Sequence, residues 1–491
     1  MFLYHYRSIE SAKKEIEYRT FHFATREELN DPMEGYVCVY WQGDKSAYEG
    51  LFRNYVCSLF KAIELCLLQS DEDILRHQTL IADLHQYDDA PFRDILRDLG
   101  TSFLKDEEIR QVVAFCGEQN EKIFCDELKL IIGLIHEKAF SLCIQKGREC
   151  GLFPDELAED LRKYKRSNIL QPLLTYFFKE EPNEPDQRLT AAKKSIDSVE
   201  DLKDFYYLCY GLDDDNYLYG ARKDQNGNVI QETEITQARR IRNWLTVSVD
   251  FPKVYLDQLK NLIFPESLVV CFSAKNNDSS MWGHYADNHK GVCLIYETDE
   301  ENKLTIKDDI DRVLEAKPIV YGGEKLERNF FNTLGGMTNE QIEAWLTGLD
   351  GPSDVFNTLK DKEDWMKRYW DAYEAKTYRK LTAWEYEKEY RISIVYHTPD
   401  SLGRPESRNL SYDPGRLKGV IFGIKTSEYD KKQIMERLLK HADEFADCKF
   451  YQAEYDENTQ TIKVREKKLW VEELNPKLEP RELLSRFFDD I

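Results

Sequence analysis

The stretch that decides the fold is residues 268–297, which read LVVCFSAKNNDSSMWGHYADNHKGVCLIYE. Its two apolar runs, Leu268–Ser273 and Val292–Glu297, have the length and composition of buried β-strands. Between the runs, Asp278 or one of the two serines after it can cap a short helix. We expect that helix to end near Gly291, because glycine is favoured at helix C-termini. The stretch therefore predicts strand, short helix and strand.

A second informative stretch is residues 384–396, WEYEKEYRISIVY, in which acidic residues precede a predicted strand at Arg391–His397. The opening LYHYRS of residues 3–8 lies in another predicted strand, Phe2–Tyr6. These segments are far apart in sequence and carry most of the chemically active side chains. We expect the fold to bring them together in a cleft.

The remaining pattern alternates between strand-like and helix-like regions. Thr25 with Glu28 forms a capping-box pattern for a short helix that ends before Pro32. Further strands are predicted at Thr20–Ala24, Ile319–Tyr321, Val420–Ile424, Phe450–Tyr455 and Thr459–Val464, and a helix at Glu428–His441. Apolar residues recur at helical spacing in Leu51–Leu68, Ile109–Lys146 and Asp155–Phe178.

These elements predict an α+β fold, with a mixed or antiparallel sheet core that is split by a large helical insertion. We expect the core to comprise residues 1–45 and 246–470, with a helical excursion at 337–384. Residues 46–245 would form the insertion, with a hairpin near 217–233 around Asn226-Gly227. Residues 471–491 are predicted to form a C-terminal tail helix.

Composition excludes several classes of protein. The chain has 491 residues, a formal net charge of −23 and 11 cysteines, and no C-x-x-C pair. The acidic balance disfavours non-specific nucleic-acid binding, and the scattered cysteines favour reduced thiols in the cytoplasm. We find no signal peptide and no apolar run long enough for a membrane span. Walker, G-x-G-x-x-G, G-x-S-x-G and H-E-x-x-H motifs are absent.

Five motifs together resemble the bacterial family known as domain of unknown function 2971. They stand in the family's order as LYHYRS (3–8), LNDPMEG (29–35), CFSAKNNDSSMWGHYADNHKGVCLIYE (271–297), WEYEKEYRISI (384–394) and VIFGIKTS (420–427). The resemblance covers about half of the chain. The region between Tyr36 and Leu268 is much longer than the family's pattern implies, so we interpret it as an insertion with its own task.

A more distant resemblance is to ADP-ribosyltransferases, in which an early strand supplies a His or Arg that contacts NAD. A middle strand supplies a Ser or an aromatic support, and a late strand opens with a catalytic Glu, often as E-x-E. The resemblance implies that His5, Arg7, Ser273, Trp282 and Tyr285 bind the cofactor NAD. It implies that Glu389 stabilises the oxocarbenium ion and that Glu387 orients or deprotonates the acceptor.

Each of these residues also has a structural interpretation. Arg391 could simply neutralise Glu389, since residues two apart share one face of a strand. His5 could be a satisfied core histidine, and Arg7 a structural partner for Asp31 or Glu34.

The helix between the two apolar runs is open to both interpretations. Trp282, Tyr285 and His289 share one helix face by spacing, which is more typical of core packing than of a cofactor wall. His284 and His289 are five residues apart, which does not suit a shared metal, and we predict no metal site.

The leading hypothesis is an NAD-dependent enzyme similar to ADP-ribosyltransferases, a toxin or phage-defence effector with an unidentified protein, nucleic-acid or small-molecule acceptor. A nucleotide is the expected small-molecule partner, and no membrane partner is expected. The first alternative is a non-catalytic ligand-sensing or regulatory module. A weaker alternative is a metal-dependent nuclease that uses Asp31, Glu34, Glu387 and Glu389.

Overall fold

A computed structural model describes residues 1–68, 72–81, 89–118, 121–154, 243, 246–260, 262–307, 311–335, 337–359, 361–396 and 405–470. The predicted helix at Asp155–Phe178, the hairpin near 217–233 and the tail helix at 471–491 lie outside these residues. The fold is α+β, as the sequence predicts. No helix within the described ranges has both the length and the apolar character needed to cross a membrane.

The chain divides into two compact units, and each unit is formed by segments that are separated in sequence. The sheet unit comprises Met1–Tyr36, Pro265–Leu326 and Asp371–Ile491, and the helical unit comprises Val37–Phe264 and Glu327–Trp370. The domain boundaries given above stay predictions.

An eight-stranded sheet forms the centre of the sheet unit. Its neighbouring strands run antiparallel except for one parallel pair, Leu417–Phe422 with Lys449–Asp456, so the predicted mixed sheet is confirmed. In spatial order the strands are Thr461–Trp470, Lys449–Asp456, Leu417–Phe422, Val292–Glu297, Phe2–Arg7, Glu266–Ser273, Glu389–Tyr396 and Lys317–Pro318.

Both faces of this sheet are covered, because alternate side chains of each strand point to opposite faces. On one face, Leu3, Phe272 and Leu294 belong to a core that includes the helices Ile9–Tyr18 and Glu428–Lys440. On the other face, Tyr6 and Cys293 pack with the short helix Ser279–His284.

Smaller elements complete the sheet unit. A four-stranded sheet contains Thr20–His22, Asn409–Tyr412, Lys303–Lys307 and Asp311–Glu315, and a parallel pair joins Val320–Tyr321 to Arg379–Lys380. Short 3-10 helices lie at Arg26–Glu28, Thr382–Glu387, Pro405–Arg408 and Pro414–Arg416.

The helical unit is built around the long helix Lys45–Leu67, whose side chains are mostly buried. The other α-helices described in this unit are Glu72–His77, Ala90–Lys105, Glu107–Glu118, Cys125–Glu149, Phe251–Lys260, Asn339–Trp345, Asp354–Thr358 and Lys362–Thr377. The last of these crosses the unit boundary, since its residues from Asp371 onward belong to the sheet unit. A π-helix spans Thr246–Asp250, and a 3-10 helix spans Phe330–Asn332. Strand Cys38–Trp41 pairs with Glu327–Asn329 and Ile123–Phe124. In the described part of this unit the predicted helices at Leu51–Leu68 and Ile109–Lys146 are present, although the second is interrupted by Ile123–Phe124.

One local prediction was wrong. The short helix begins after Asp278, which caps Ser280 and Met281, but it ends at His284 instead of near Gly291. Three successive residues, Asp287 to His289, then take positive φ angles and turn the chain back. Gly291 is required for another reason, because a Cβ there would lie 2.2 Å from the carbonyl oxygen of Arg7.

Candidate functional site

A cavity of about 300 Å³ opens where two neighbouring strands of the large sheet separate. The opening strand, Phe2–Arg7, and the central strand, Glu266–Ser273, are paired at a single position, Tyr4 with Ser273. Further along the central strand, Val269 pairs instead with Ala24. The opening strand lines the cavity with Tyr4 to Arg7, and the central strand lines it with Val269 to Ser273. The other lining residues are His22, Ala24, Glu28, Leu29, Asn30, Met281, Tyr285, Lys380, Glu387 and Glu389.

Two carboxylates and one ammonium group form the polar end of this cavity. Glu387 closes a 3-10 helix, Lys388 takes a left-handed conformation (φ 44°), and the late strand begins at Glu389. The Nζ atom of Lys380 donates to Oε2 of Glu387 at 2.7 Å and to Oε2 of Glu389 at 2.8 Å. One buried cation therefore holds both predicted catalytic carboxylates in the same place.

Glu389 is surrounded by cations. Its Oε1 accepts from Nε and Nη2 of Arg391 at 2.9 and 2.6 Å, and Arg391 also donates to the carboxylate of Glu34. Burial favours the neutral acid, but Arg391 and Lys380 outweigh it and lower the pKa of Glu389 to about 2. Arg391 therefore neutralises Glu389, as the structural interpretation predicts. Glu389 is charged, and both of its carboxylate oxygens accept hydrogen bonds.

Glu387 has a different environment although it shares the same lysine. Its Oε1 accepts a hydrogen bond from the Tyr285 hydroxyl at 2.5 Å, and Asn30 donates to that hydroxyl at 2.5 Å. Burial raises the pKa of Glu387 above its usual value despite the attraction of Lys380. Environments that push the pKa values of two adjacent carboxyls apart are typical of acid–base pairs.

The backbone that carries these carboxylates is fixed by side chains from other strands. The Ser273 hydroxyl donates to the carbonyl of Glu387 at 2.6 Å, and the Tyr321 hydroxyl accepts from the Glu389 amide at 2.7 Å. Ser273 also lines the cavity, and its hydroxyl is committed to positioning Glu387.

His5 and Arg7 also line the cavity and share a buried partner, Glu15 of the first helix. Glu15 accepts from Nδ1 of His5 at 2.9 Å and from Nε of Arg7 at 2.8 Å. The predicted structural partners of Arg7 were wrong, since Glu34 pairs with Arg391 and Lys380 instead.

The remaining predicted residues separate from one another. Tyr285 lies in the cavity wall, whereas Trp282 is fully buried, donates to the carbonyl of Asn276 at 2.9 Å and packs edge-on against Tyr6. His289 follows the end of the helix, so the predicted helix face of Trp282, Tyr285 and His289 does not form.

Sequence reasoning missed two residues that organise the site. Lys380 comes from the two-residue strand Arg379–Lys380, which has no apolar alternation to mark it. Glu15 sits among other charged residues of an amphipathic helix and has only 4% exposure. The signal available for Lys380 was the excess of acidic residues at 385–389, because buried carboxylates need a cation.

Three of the four carboxylates considered for a metal site, all except Asp31, already have cationic partners. Glu34, Glu387 and Glu389 converge on Lys380, and Arg391 completes the cluster. Within the part of the chain that the structure describes, no group of His, Cys, Asp and Glu side chains is arranged to hold a metal ion.

Comparison with known proteins agrees with part of the sequence resemblance. The family described as Protein of unknown function (DUF2971) matches residues 281–392, which span the short helix, Lys380 and the start of the late strand. No curated protein and no solved structure matches the chain.

Proposed function

We propose that the cavity binds NAD and that the protein cleaves the bond between nicotinamide and ribose, transferring ADP-ribose to an acceptor. The observation that carries this proposal is the carboxylate pair Glu387 and Glu389, held by one lysine at the end of a cavity between split strands. Carboxylates placed beside a sugar carbon stabilise the positive charge that develops as the leaving group departs.

The charges around the cavity support entry of the nicotinamide end. Lys380 and Arg7, which both line the cavity, are paired with carboxylates, so neither offers an uncompensated charge for a diphosphate. A pyridinium ring, by contrast, is cationic and is attracted both by carboxylates and by aromatic faces. Tyr4, Tyr6 and Tyr285 supply aromatic side chains in the cavity wall. We therefore place the nicotinamide riboside end inside and the phosphates towards its mouth.

In this proposal the two carboxylates have different tasks. Glu387 is the carboxylate nearest to the reacting carbon, because one of its oxygens is bonded by a tyrosine that lines the cavity. An approaching pyridinium would favour the charged form of Glu387 and lower its raised pKa. Glu389 is a positioning residue that fixes Lys380, since its carboxylate accepts hydrogen bonds from Lys380 and Arg391.

The test is incubation of the purified chain with NAD labelled in the nicotinamide ring, with and without cell lysate. We expect nicotinamide release by the wild-type protein and a loss of about 100-fold or more in Glu387→Gln, in the range found when an electrostatic stabiliser is removed. Glu385→Gln is the matched control, because that side chain is exposed and its ion pair is with Lys388 on the surface. Release that persists in Glu387→Gln would refute the assignment.

A second candidate is a ligand-sensing module, and it is favoured by the buried pairing of Arg391 with both Glu34 and Glu389, which engages Glu389 in a structural cluster. In that case NAD or a related nucleotide would bind, as measured by calorimetry, without turnover in any lysate. A nuclease would require Mg²⁺ to displace Lys380 from the carboxylates; cleavage of nucleic acid that is abolished by EDTA would support that alternative.

A further inference from the structure

His5 is held so that one ring nitrogen is committed and the other faces the cavity. Its Nδ1 lies 2.9 Å from Oε1 of Glu15, while Nε2 has no hydrogen-bond partner among the described residues. The ring is 5% exposed and lines the cavity, with Phe272 at a centroid distance of 4.9 Å. An unpartnered ring nitrogen that is not sealed off by protein, on a side chain that lines a cavity, is available to a ligand in that cavity.

Glu15 decides which nitrogen carries the proton. It accepts from Tyr296 at 2.7 Å and from Arg7 at 2.8 Å as well as from His5. Burial would raise the pKa of Glu15, but the charge of Arg7 and the hydrogen bonds that Glu15 accepts from His5 and Tyr296 lower it below its usual value, so Glu15 is ionised. An ionised carboxylate accepts a hydrogen bond from Nδ1–H, so the ring proton stays on Nδ1. Nε2 is then unprotonated and carries a free lone pair.

The neutral form of His5 is favoured by its surroundings. Burial and the neighbouring Arg7 lower the pKa of His5 below its usual value, although Glu15 acts in the opposite direction. A neutral imidazole oriented by a buried carboxylate is the arrangement with which proteins make a general base.

We propose that His5 is the general base that activates the attacking nucleophile, with Glu15 as its positioning residue; this inference rests on the proposed function. The nucleophile is water or an acceptor hydroxyl. Its oxygen forms a bond to the ribose carbon as the carbon–nitrogen bond breaks. The bonding electron pair leaves on the pyridinium nitrogen to give neutral nicotinamide, and the hydroxyl proton passes to Nε2 of His5.

Two substitutions separate the base from its structural role. Asparagine can place an amide nitrogen near the position of Nδ1, so His5→Asn keeps a donor to Glu15 and removes the base. His5→Ala leaves a space that added imidazole can fill. We expect His5→Asn to release nicotinamide about 100-fold more slowly, and imidazole to restore His5→Ala in part, because general-base catalysis contributes roughly 10²- to 10⁴-fold. The far-UV circular dichroism of each variant verifies folding.

A measurement that does not depend on activity checks the tautomer. Selective ¹⁵N labelling of the nine histidines, with His5→Asn to assign the signal, reports which His5 nitrogen is protonated. We expect the proton on Nδ1, and its loss from that position in Glu15→Gln together with slower release. A proton on Nε2 in the wild-type protein would overturn the base role.

The kinetic outcomes distinguish this inference from the proposed function. If the wild-type protein releases no nicotinamide with any acceptor, the proposed function and the base role both fail. If it releases nicotinamide and folded His5→Asn does so at the wild-type rate, or imidazole does not accelerate His5→Ala, only the base role fails.

Discussion

Replacing Lys380 by methionine tests whether one buried ammonium group holds the site together. Lys380 is 6% exposed and lies within 3.4 Å of Glu34, 2.7 Å of Glu387 and 2.8 Å of Glu389. Methionine has a similar length and no charge, so the variant leaves three buried carboxylates with Arg391 as their nearby cation. Removing one partner of a buried ion pair costs about 3–5 kcal/mol.

The pKa of Glu389 gives an independent magnitude and a sign. Its folded value of about 2, against an ordinary value of 4.5 for a glutamate, corresponds to about 3 kcal/mol of stability at neutral pH, at roughly 1.4 kcal/mol per pH unit. Because the folded pKa is lowered, this stability is present above pH 4.5 and is lost as the pH falls towards 2. In Lys380→Met part of it is already missing at pH 7, so the difference between variant and wild type should stay constant down to about pH 4.5 and shrink as the pH falls from there towards 2.

The assay is urea unfolding followed by far-UV circular dichroism at pH 7 and at about pH 3, inside the window between the two pKa values of Glu389. We expect a lower midpoint for Lys380→Met at pH 7 and a smaller difference at the acidic pH. Lys418→Met is the matched control, because Lys418 donates to Asp447 at 2.9 Å on the surface and its loss should not move the midpoint. A Lys380→Met protein as stable as wild type at pH 7, or a deficit that does not change with pH, would refute the electrostatic account.

Three further substitutions test the geometry around the cavity. Ser273→Ala removes the donor to the buried carbonyl of Glu387, and we expect a loss of about 1–3 kcal/mol in urea unfolding together with slower nicotinamide release. Trp282→Ala empties a fully buried site and should cost about 3–5 kcal/mol, measured in the same way; a near-neutral result would contradict the core assignment. Gly291→Ala should lower the melting temperature strongly, because the added Cβ would lie 2.2 Å from the carbonyl oxygen of Arg7. Gly283→Ala is its control: the added Cβ would meet no other part of the protein within 4 Å, so the melting temperature should stay unchanged or rise.

The sequence predicted the strands of the large sheet well because their residues are buried on both faces and read as apolar runs. Val292–Glu297 was predicted with its observed bounds, and the predicted strand at Arg391–His397 differs from Glu389–Tyr396 by two residues at its start and one at its end. The strands that were missed, such as Cys38–Trp41 and Lys303–Lys307, are short or largely polar. Their pairing depends on tertiary neighbours that local periodicity does not report.

The sequence predicted the two carboxylates of the candidate site and the meeting of distant segments there. It did not predict that Lys380 is the cation that pairs with them. Glu387 and Glu389 were found because acidic residues at the start of an apolar strand are unusual. Their partner Lys380 occurs in a short polar segment, and Glu15 lies on a helix that meets the opening strand only in the folded protein. Pairing between buried charges is set by the fold, so a single sequence shows that a partner is needed without showing which residue supplies it.

The shared lysine also determines which substitution can test function cleanly. Glu389 is bonded to both Lys380 and Arg391, so Glu389→Gln removes a charge from a balanced buried cluster and changes stability together with any activity. One oxygen of Glu387 accepts a hydrogen bond from Tyr285 in the cavity wall, and the pKa of Glu387 is raised. Replacing it by neutral glutamine is therefore the smaller perturbation. A loss of nicotinamide release in a stably folded Glu387→Gln protein would therefore report chemistry in the cavity, whereas the same loss in Glu389→Gln would not separate chemistry from the integrity of the cluster.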